Sequence, residues 1–275
     1  MNTVGMGAAD STRQVSDSSM LWRGMPWRDI KEGVRSGFAV HYELGKIKAS
    51  ANVNAAIAPW GDGFNLFGSD GAAVAVLDEL GGGKTFSSDG DNEGVSLQQI
   101  ALPFQISRDH KLFVAECRLK TSTITDTKHG FFWGLAQALT LSATVPITAA
   151  GAIADTNIVG FHRLEADGDM LDTVYKADGV TQVTVQADAV TLVADTYVKL
   201  GIRYEPVGDQ ANAYALSFWR NGVRLSSSKT IPAAAGTDFP NDVRMGLVFA
   251  LLNATATTPG TTSIQWMRAA QLFDY

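Results

Sequence analysis

Charge is scarce in this 275-residue sequence: Asp, Glu, Lys and Arg make up 18% of it, against roughly 25% in an ordinary soluble domain. That excludes a disordered polyelectrolyte and a charged coiled coil. Cysteine is scarcer still. Cys117 stands alone, so no internal disulfide and no thiolate cluster for zinc can form, and a role as core filler is expected. No run reaches the roughly 18 apolar residues of a membrane span. The opening MNTVGMGAADSTRQVSDSS has neither the basic start nor the apolar stretch of a secretory signal. A soluble protein made in a cytoplasm, with no membrane partner, is the expectation. Basic clusters are also missing. With 22 basic side chains against 28 acidic, the net charge is −6, which repels a phosphate backbone and argues against nucleic acid as a partner.

What the chain has in quantity is glycine, 27 residues of it, together with short alternating apolar stretches. A chain of this length buries about three quarters of its extended surface, enough for one large sandwich or barrel. In FVAECRLK, Phe113, Ala115, Cys117 and Leu119 alternate with Val114, Glu116, Arg118 and Lys120, the period of a half-buried strand. HGFFWGLAQ is apolar on both faces and reads as a central strand; DVRMGLVFALL is similar near its end. TYVKLGIRYEP sets Val198, Leu200, Ile202 and Tyr204 on one face and Lys199 and Arg203 on the other, and Pro206 stops it. Turn dipeptides punctuate these runs: Asp167-Gly168, Asp178-Gly179 and, most clearly, Asn221-Gly222, which suits a type I′ hairpin. Only GAAVAVLDEL, ended by Gly81, reads as a short helix. LSATVPITAAGAIADTN is too long for a tight turn and is expected as an extended loop or an extra strand covering an edge.

Some 10 to 14 strands with turns every ten or so residues indicate an all-β, two-sheet antiparallel jelly-roll sandwich. Residues 38–275 are assigned to it. Residues 1–37 differ, being rich in Ser, Asp, Gly and Met yet carrying Trp22, Arg23 and Trp27 in LWRGMPW, and are read as an irregular N-terminal arm. The arm either packs across its own domain or docks its tryptophans on a neighbouring subunit, since Trp and Arg are favoured anchors.

Motifs with chemical meaning fail on spacing. GGGKT at 81–85 lacks the glycine that a phosphate loop needs five positions before Gly83, where Asp78 stands. DGDNEG at 89–94 begins like a calcium loop, but its twelfth position is Ile100, which excludes an EF-hand and leaves an irregular calcium site as the alternative to a solvated acidic turn, the commoner outcome of such a run. Glu165, Asp167 and Asp169 resemble the paired carboxylates of a glycosidase, but an Asp-Gly turn interrupts them. His41, His110, His129 and His162 form no spaced pair, and no Gly-x-Ser-x-Gly elbow occurs. No catalytic residue, cofactor or metal ligand is therefore assigned. Among the tryptophans, Trp60, Trp133 and Trp266 lie near or inside strands, where core filling is the commoner role. Trp219, alternating with Phe218, is expected on an outer face as a sugar-stacking platform or an interface anchor.

The succession FVAECRLK, HGFFWGLAQ, IVGFHRLEADGDMLDTVYKADG, YVKLGIRYEP, YALSFWRNGVRL and SIQWMRAAQLF resembles concanavalin A-like (laminin G-like) jelly rolls. More narrowly, it is similar to tailed-phage virion proteins of that fold that decorate or cement the capsid, in which an acidic turn such as SDGDNEGVSLQ precedes an aromatic element like LPFQI. The likeness spans about residues 85–275. It implies a non-enzymatic structural protein on the capsid surface of a virion, assembled in the host cytoplasm. Its partners would be the major capsid protein and further copies of itself, as a dimer or trimer, through Trp22, Arg23, Trp27 and Trp219. The alternatives are a glycan-binding, lectin-like module of a phage tail or adhesin and, behind it, a glycoside hydrolase.

Overall fold

The computed structural model describes residues 19–33, 36–46, 58–59, 63–69, 71–106, 112–137, 146–147, 153–154, 156–207, 213–232, 238–254 and 259–273. A short helix, α1 (Trp27–Lys31), leads into β1 (Gly37–Glu43). Six short strands follow: β2 (Ala58–Pro59), β3 (Phe64–Gly68), β4 (Ala73–Val76), β5 (Lys84–Ser87), β6 (Gly94–Gln99) and β7 (Phe104–Gln105). Longer ones come next, β8 (Phe113–Thr121), β9 (His129–Ala136), β10 (Ile158–Arg163), β11 (Met170–Lys176) and β12 (Val183–Thr191). The described strands end with β13 (Val198–Pro206), β14 (Ala213–Arg220), β15 (Val223–Pro232), β16 (Arg244–Asn253) and β17 (Thr262–Leu272).

Two antiparallel sheets result. The first runs β15-β14-β13-β8-β17-β5-β4, with β1 also paired to β17; the second runs β12-β11-β10-β9-β16-β6-β3-β2, with β7 also on β16. Between them lies the main core, where Phe113, Ala115, Cys117 and Leu119 of β8 and Leu200, Ile202 and Tyr204 of β13 meet Phe131, Trp133 and Leu135 of β9 and Leu247, Phe249 and Leu251 of β16. The alternation read in these strands is the alternation observed. Burial of Cys117 raises its thiol pKa well above the ordinary value, which keeps it an inert core group.

Turn chemistry also follows the local sequence. Asn221 and Gly222 both take positive φ, 49° and 78°, between β14 and β15, as a type I′ turn requires. The stretch 71–80 departs from its expected helix. It forms β4, antiparallel to β5, because Val74 enters the core and Gly81, Gly82 and Gly83, all at positive φ, reverse the chain into a hairpin. Tertiary pairing here overrides the helix propensity of alanine. The GGGKT glycines thus make a hairpin turn rather than a phosphate cradle.

Both sheets bury part of their outward faces as well. On the second sheet, Phe132, Val174, Val248, Ala250 and Leu252 point away from the main core and are buried with Ile147 and Ile153. Those two isoleucines form a bridge, so the described part of the long small-residue stretch lies over a sheet face rather than an edge. On the first sheet, Val114, Trp219 and Ala270 are covered by Leu21, Met25 and Ile30 of the arm. The key to that cover is Gly201, outward-facing between Lys199 and Arg203: a Cβ there would overlap Leu21 Cδ2. Leu21, fully buried, occupies the socket that this glycine leaves open.

Gly201→Ala is therefore expected to expel Leu21 and loosen the arm. Faster trypsin cleavage after Arg23, Arg28 or Lys31, with the sandwich core intact, is the expected result; cleavage at the unmodified rate would show that Leu21 does not anchor the arm.

Candidate functional site

The outer face of the first sheet carries a connected set of polar and aromatic groups. Its charged side chains come from the strand positions opposite the core: Glu116, Arg118 and Lys120 on β8, Arg203 on β13 and Arg268 on β17. Glu116 is 1% exposed, and its Oε2 accepts from Trp22 Nε1 at 2.9 Å and Arg268 Nε at 3.0 Å. The Arg268 guanidinium lies between two indoles, 4.6 Å from the Trp22 ring centre and 5.1 Å from that of Trp266. Arg203 donates to the carbonyls of Leu21 (2.6 Å) and Arg23 (2.8 Å) and pairs with Glu205. These contacts compensate the burial of charge that would otherwise be costly. They also clamp the arm onto this face.

Of the four expected interface residues, three are packed within the chain itself. Trp22 meets Trp27 edge-on, with ring centres 5.2 Å apart, and Lys31 lies over the Trp27 ring. Trp219 does point outward, but the arm leaves it 8% exposed, with its indole N–H donating to Ser217 Oγ at 3.1 Å. The expectation of Trp219 as an open stacking platform is corrected: the arm covers it. Only the Arg23 side chain remains exposed. It borders a groove of about 770 Å³ between the arm turn Met20–Gly24 and the β14–β15 turn, with Arg203, Glu205, Trp219, Val223 and Arg224 in its walls.

Beyond the arm, the same face stays open. Trp266 and Tyr197 are half-buried there. His41 packs edge-on to Trp266, with ring centres 6.2 Å apart. The Arg118 guanidinium stacks 4.1 Å from the Tyr197 ring centre and donates to Gln265. Tyr197 donates its hydroxyl to Glu79 Oε2 at 2.9 Å, and Lys120 pairs with the other Glu79 oxygen. Hydrogen bonds from Lys120 and then Tyr197 hold the Glu79 carboxyl below its ordinary pKa. Burial, followed by the Glu79 contact, pushes the Tyr197 phenol above its own. Sequence reasoning read Arg118 and Lys120 only as a polar strand face and passed over Tyr197, whose one local signal is its place just before β13. Trp60 lies outside the described residues.

The acidic motifs sit elsewhere. Glu165 and Asp167 form a 3-10 turn closed by Gly168 at φ 44°. Burial and the nearby charge of Asp91 raise the Glu165 carboxyl. In DGDNEG, Asn92 takes φ 57° and its N–H bonds to the Asn253 carbonyl, which pins the turn to the end of β16. No group of three or more His, Cys, Asp or Glu side chains suited to a metal ion occurs among the described residues. Close by, His129 and Arg163 are buried together. Arg163 Nη1 lies 2.9 Å from His129 Nε2 and donates to the Thr123 carbonyl at 3.1 Å, while Thr121 Oγ1 also contacts His129 Nε2 at 2.9 Å. Burial lowers Arg163 to about 10 against the opposing pull of Asp126 and Asp169. It drives His129 well below its ordinary value, with the Arg163 charge adding to the effect.

No protein-family model matches the chain, and no curated protein is similar to it in sequence. Solved structures do match. A protein of unknown function from Shewanella oneidensis MR-1 aligns over 90% of this chain and 94% of its own, with TM-score 0.56 and 12% identity. Peanut lectin aligns over 87% of this chain and 99% of its own, with TM-score 0.52 and 10% identity. The chain has the lectin jelly-roll fold. A carbohydrate esterase from a Shiga toxin-encoding bacteriophage aligns over 77% of this chain and 91% of its own, with TM-score 0.46 and 14% identity. The first two matches, at 10–12% identity, show a likeness of fold, and the expected concanavalin A-like sandwich is observed.

The neutral, buried His129 generates a pH prediction. Below the ordinary pKa of 6.5 the unfolded chain takes up a proton that the folded chain refuses, so stability falls as pH drops. The expected slope from this one site approaches about 1.4 kcal/mol per pH unit. Denaturant midpoints at pH 7 and pH 5 should differ less for His129→Gln than for the unaltered protein; equal differences would remove His129 as the cause.

Proposed function

We propose that this chain is a lectin-like, non-catalytic saccharide-binding module that uses the open part of the first sheet's outer face. The observation that carries the reading is the pair of half-buried rings, Trp266 and Tyr197, each held by cations and flanked by hydrogen-bonding side chains. Rings of this kind offer an apolar surface to the C–H face of a pyranose at little entropic cost, because their orientation is already set. Arg118, Lys120, Gln265 and Glu79 supply donors and acceptors at the rim for sugar hydroxyls. Glu79 is tied to Lys120 and Tyr197 and stays ionised, which suits an acceptor and not a general acid.

A structural role on a phage capsid, through the major capsid protein and further copies of the chain, is the second reading. Its support is a likeness of pattern to capsid decoration proteins, the acidic turn SDGDNEGVSLQ before the aromatic element LPFQI, together with Met20 and Val223, apolar side chains that are 53% and 69% exposed and border one groove.

A glycan array probed with the full-length protein tests both. Saturable retention of at least one saccharide is expected, with Trp266→Ala weakening it by at least about tenfold, as loss of a central aromatic anchor does. Absence of retention across the array, with retention by intact phage capsids, would overturn the saccharide reading in favour of the second.

A further inference from the structure

We infer that the groove between the arm and the β14–β15 turn is a second binding site, built for a carboxylate-bearing saccharide. The inference rests on the reading of the chain as a saccharide-binding module, but on a different set of residues. Three arginines, Arg23, Arg203 and Arg224, line the groove against one carboxylate, Glu205. That is a local excess of positive charge in a chain whose net charge is −6. Arg203 is already committed to the arm carbonyls and Glu205. Arg23 and Arg224 are exposed, and among the described residues neither guanidinium has a hydrogen bond or ion pair. They come from different parts of the chain, the arm and β15, and reach one concavity only because the arm is docked. Planar guanidinium groups bind a carboxylate through paired N–H donors.

The rest of the lining decides between classes of anion. Trp219, Val223 and Met20 give the groove apolar walls. A free inorganic anion would leave those walls unused. A uronic or sialic acid residue presents a carboxylate beside an apolar C–H face and meets both features. The volume, about 770 Å³, falls within the range of roughly 300–1,000 Å³ common for small-molecule sites.

Binding is measured by titration calorimetry with the full-length protein and matched probes: 3′-sialyllactose against lactose, and trigalacturonate against maltotriose. At least one acidic probe is expected to bind about tenfold or more tightly than its neutral partner, and to weaken as salt rises. Arg23→Ala combined with Arg224→Ala should abolish that preference. Arg28→Ala combined with Arg244→Ala, which removes the same charge outside the groove, should keep it; equal Tm values for the two double variants confirm intact folding. Neutral probes bound in a Trp266-dependent manner, with no acidic preference, would overturn this inference and leave the saccharide-binding reading standing. Equal affinity for a short poly-glutamate peptide would overturn the saccharide class of the groove. Failure of all saccharides would overturn both proposals.

Discussion

Burial of the outward face of each sheet is the constraint on which this structure turns. A two-sheet sandwich satisfies the inward positions by itself, but strands such as β9 and β16 are apolar on both sides, and their outward residues need a second cover. The segment carrying Ile147 and Ile153 supplies it on one sheet and the arm residues Leu21, Met25 and Ile30 supply it on the other. Without them Phe132, Val248 and Leu252 on one side of the sandwich, and Val114, Trp219 and Ala270 on the other, would form the kind of apolar patches that drive association. The arm's position then decides how much of the first sheet's outer face stays accessible, and so where Trp266 and Tyr197 can meet a ligand.

Charge fixes the position of that arm. Apolar contact alone would let a short helix and turn slide over a sheet. Glu116 and Arg203 are both almost fully buried, and each requires particular partners in the arm: the Trp22 indole for one, the carbonyls of Leu21 and Arg23 for the other. Misplacing the arm would strand a buried charge, a penalty well above that of an imperfect apolar contact. The same arrangement engages Glu116 and Glu205 in ion pairs, leaving the face with carboxylates that accept hydrogen bonds. His129 and Arg163 repeat the logic at the end of the sandwich, where the histidine stays neutral beside a buried guanidinium.

Much of the fold was legible because its signals are local. Alternation in β8 and β13 and the turn at Asn221-Gly222 depend on the pleat and on backbone dihedrals, which neighbours in sequence determine. The stretch 71–80 was misread because alanine and leucine favour helix locally, whereas β4 owes its conformation to pairing with β5. Apolar residues on both faces of Leu247–Leu252 were legible as a need for cover, but the same signal fits an intermolecular interface or a buried central strand. Trp219 shows the limit most clearly. Its direction followed from the alternation with Phe218, but its exposure depended on residues about 190 positions away in the arm.

By itself, the sequence determined the class of fold, the direction of most core side chains and the absence of a recognisable catalytic or metal-binding motif. Those follow from period, composition and spacing, properties that need no knowledge of which strands are neighbours. Only the tertiary structure decided that the arm lies over Gly201 and Trp219, that Trp266 joins Tyr197 on the open face, and that Arg23 meets Arg224 across a groove. Each of these juxtapositions joins residues distant in the chain. They are set by which buried groups must find partners, a requirement that exists only once the sheets have formed.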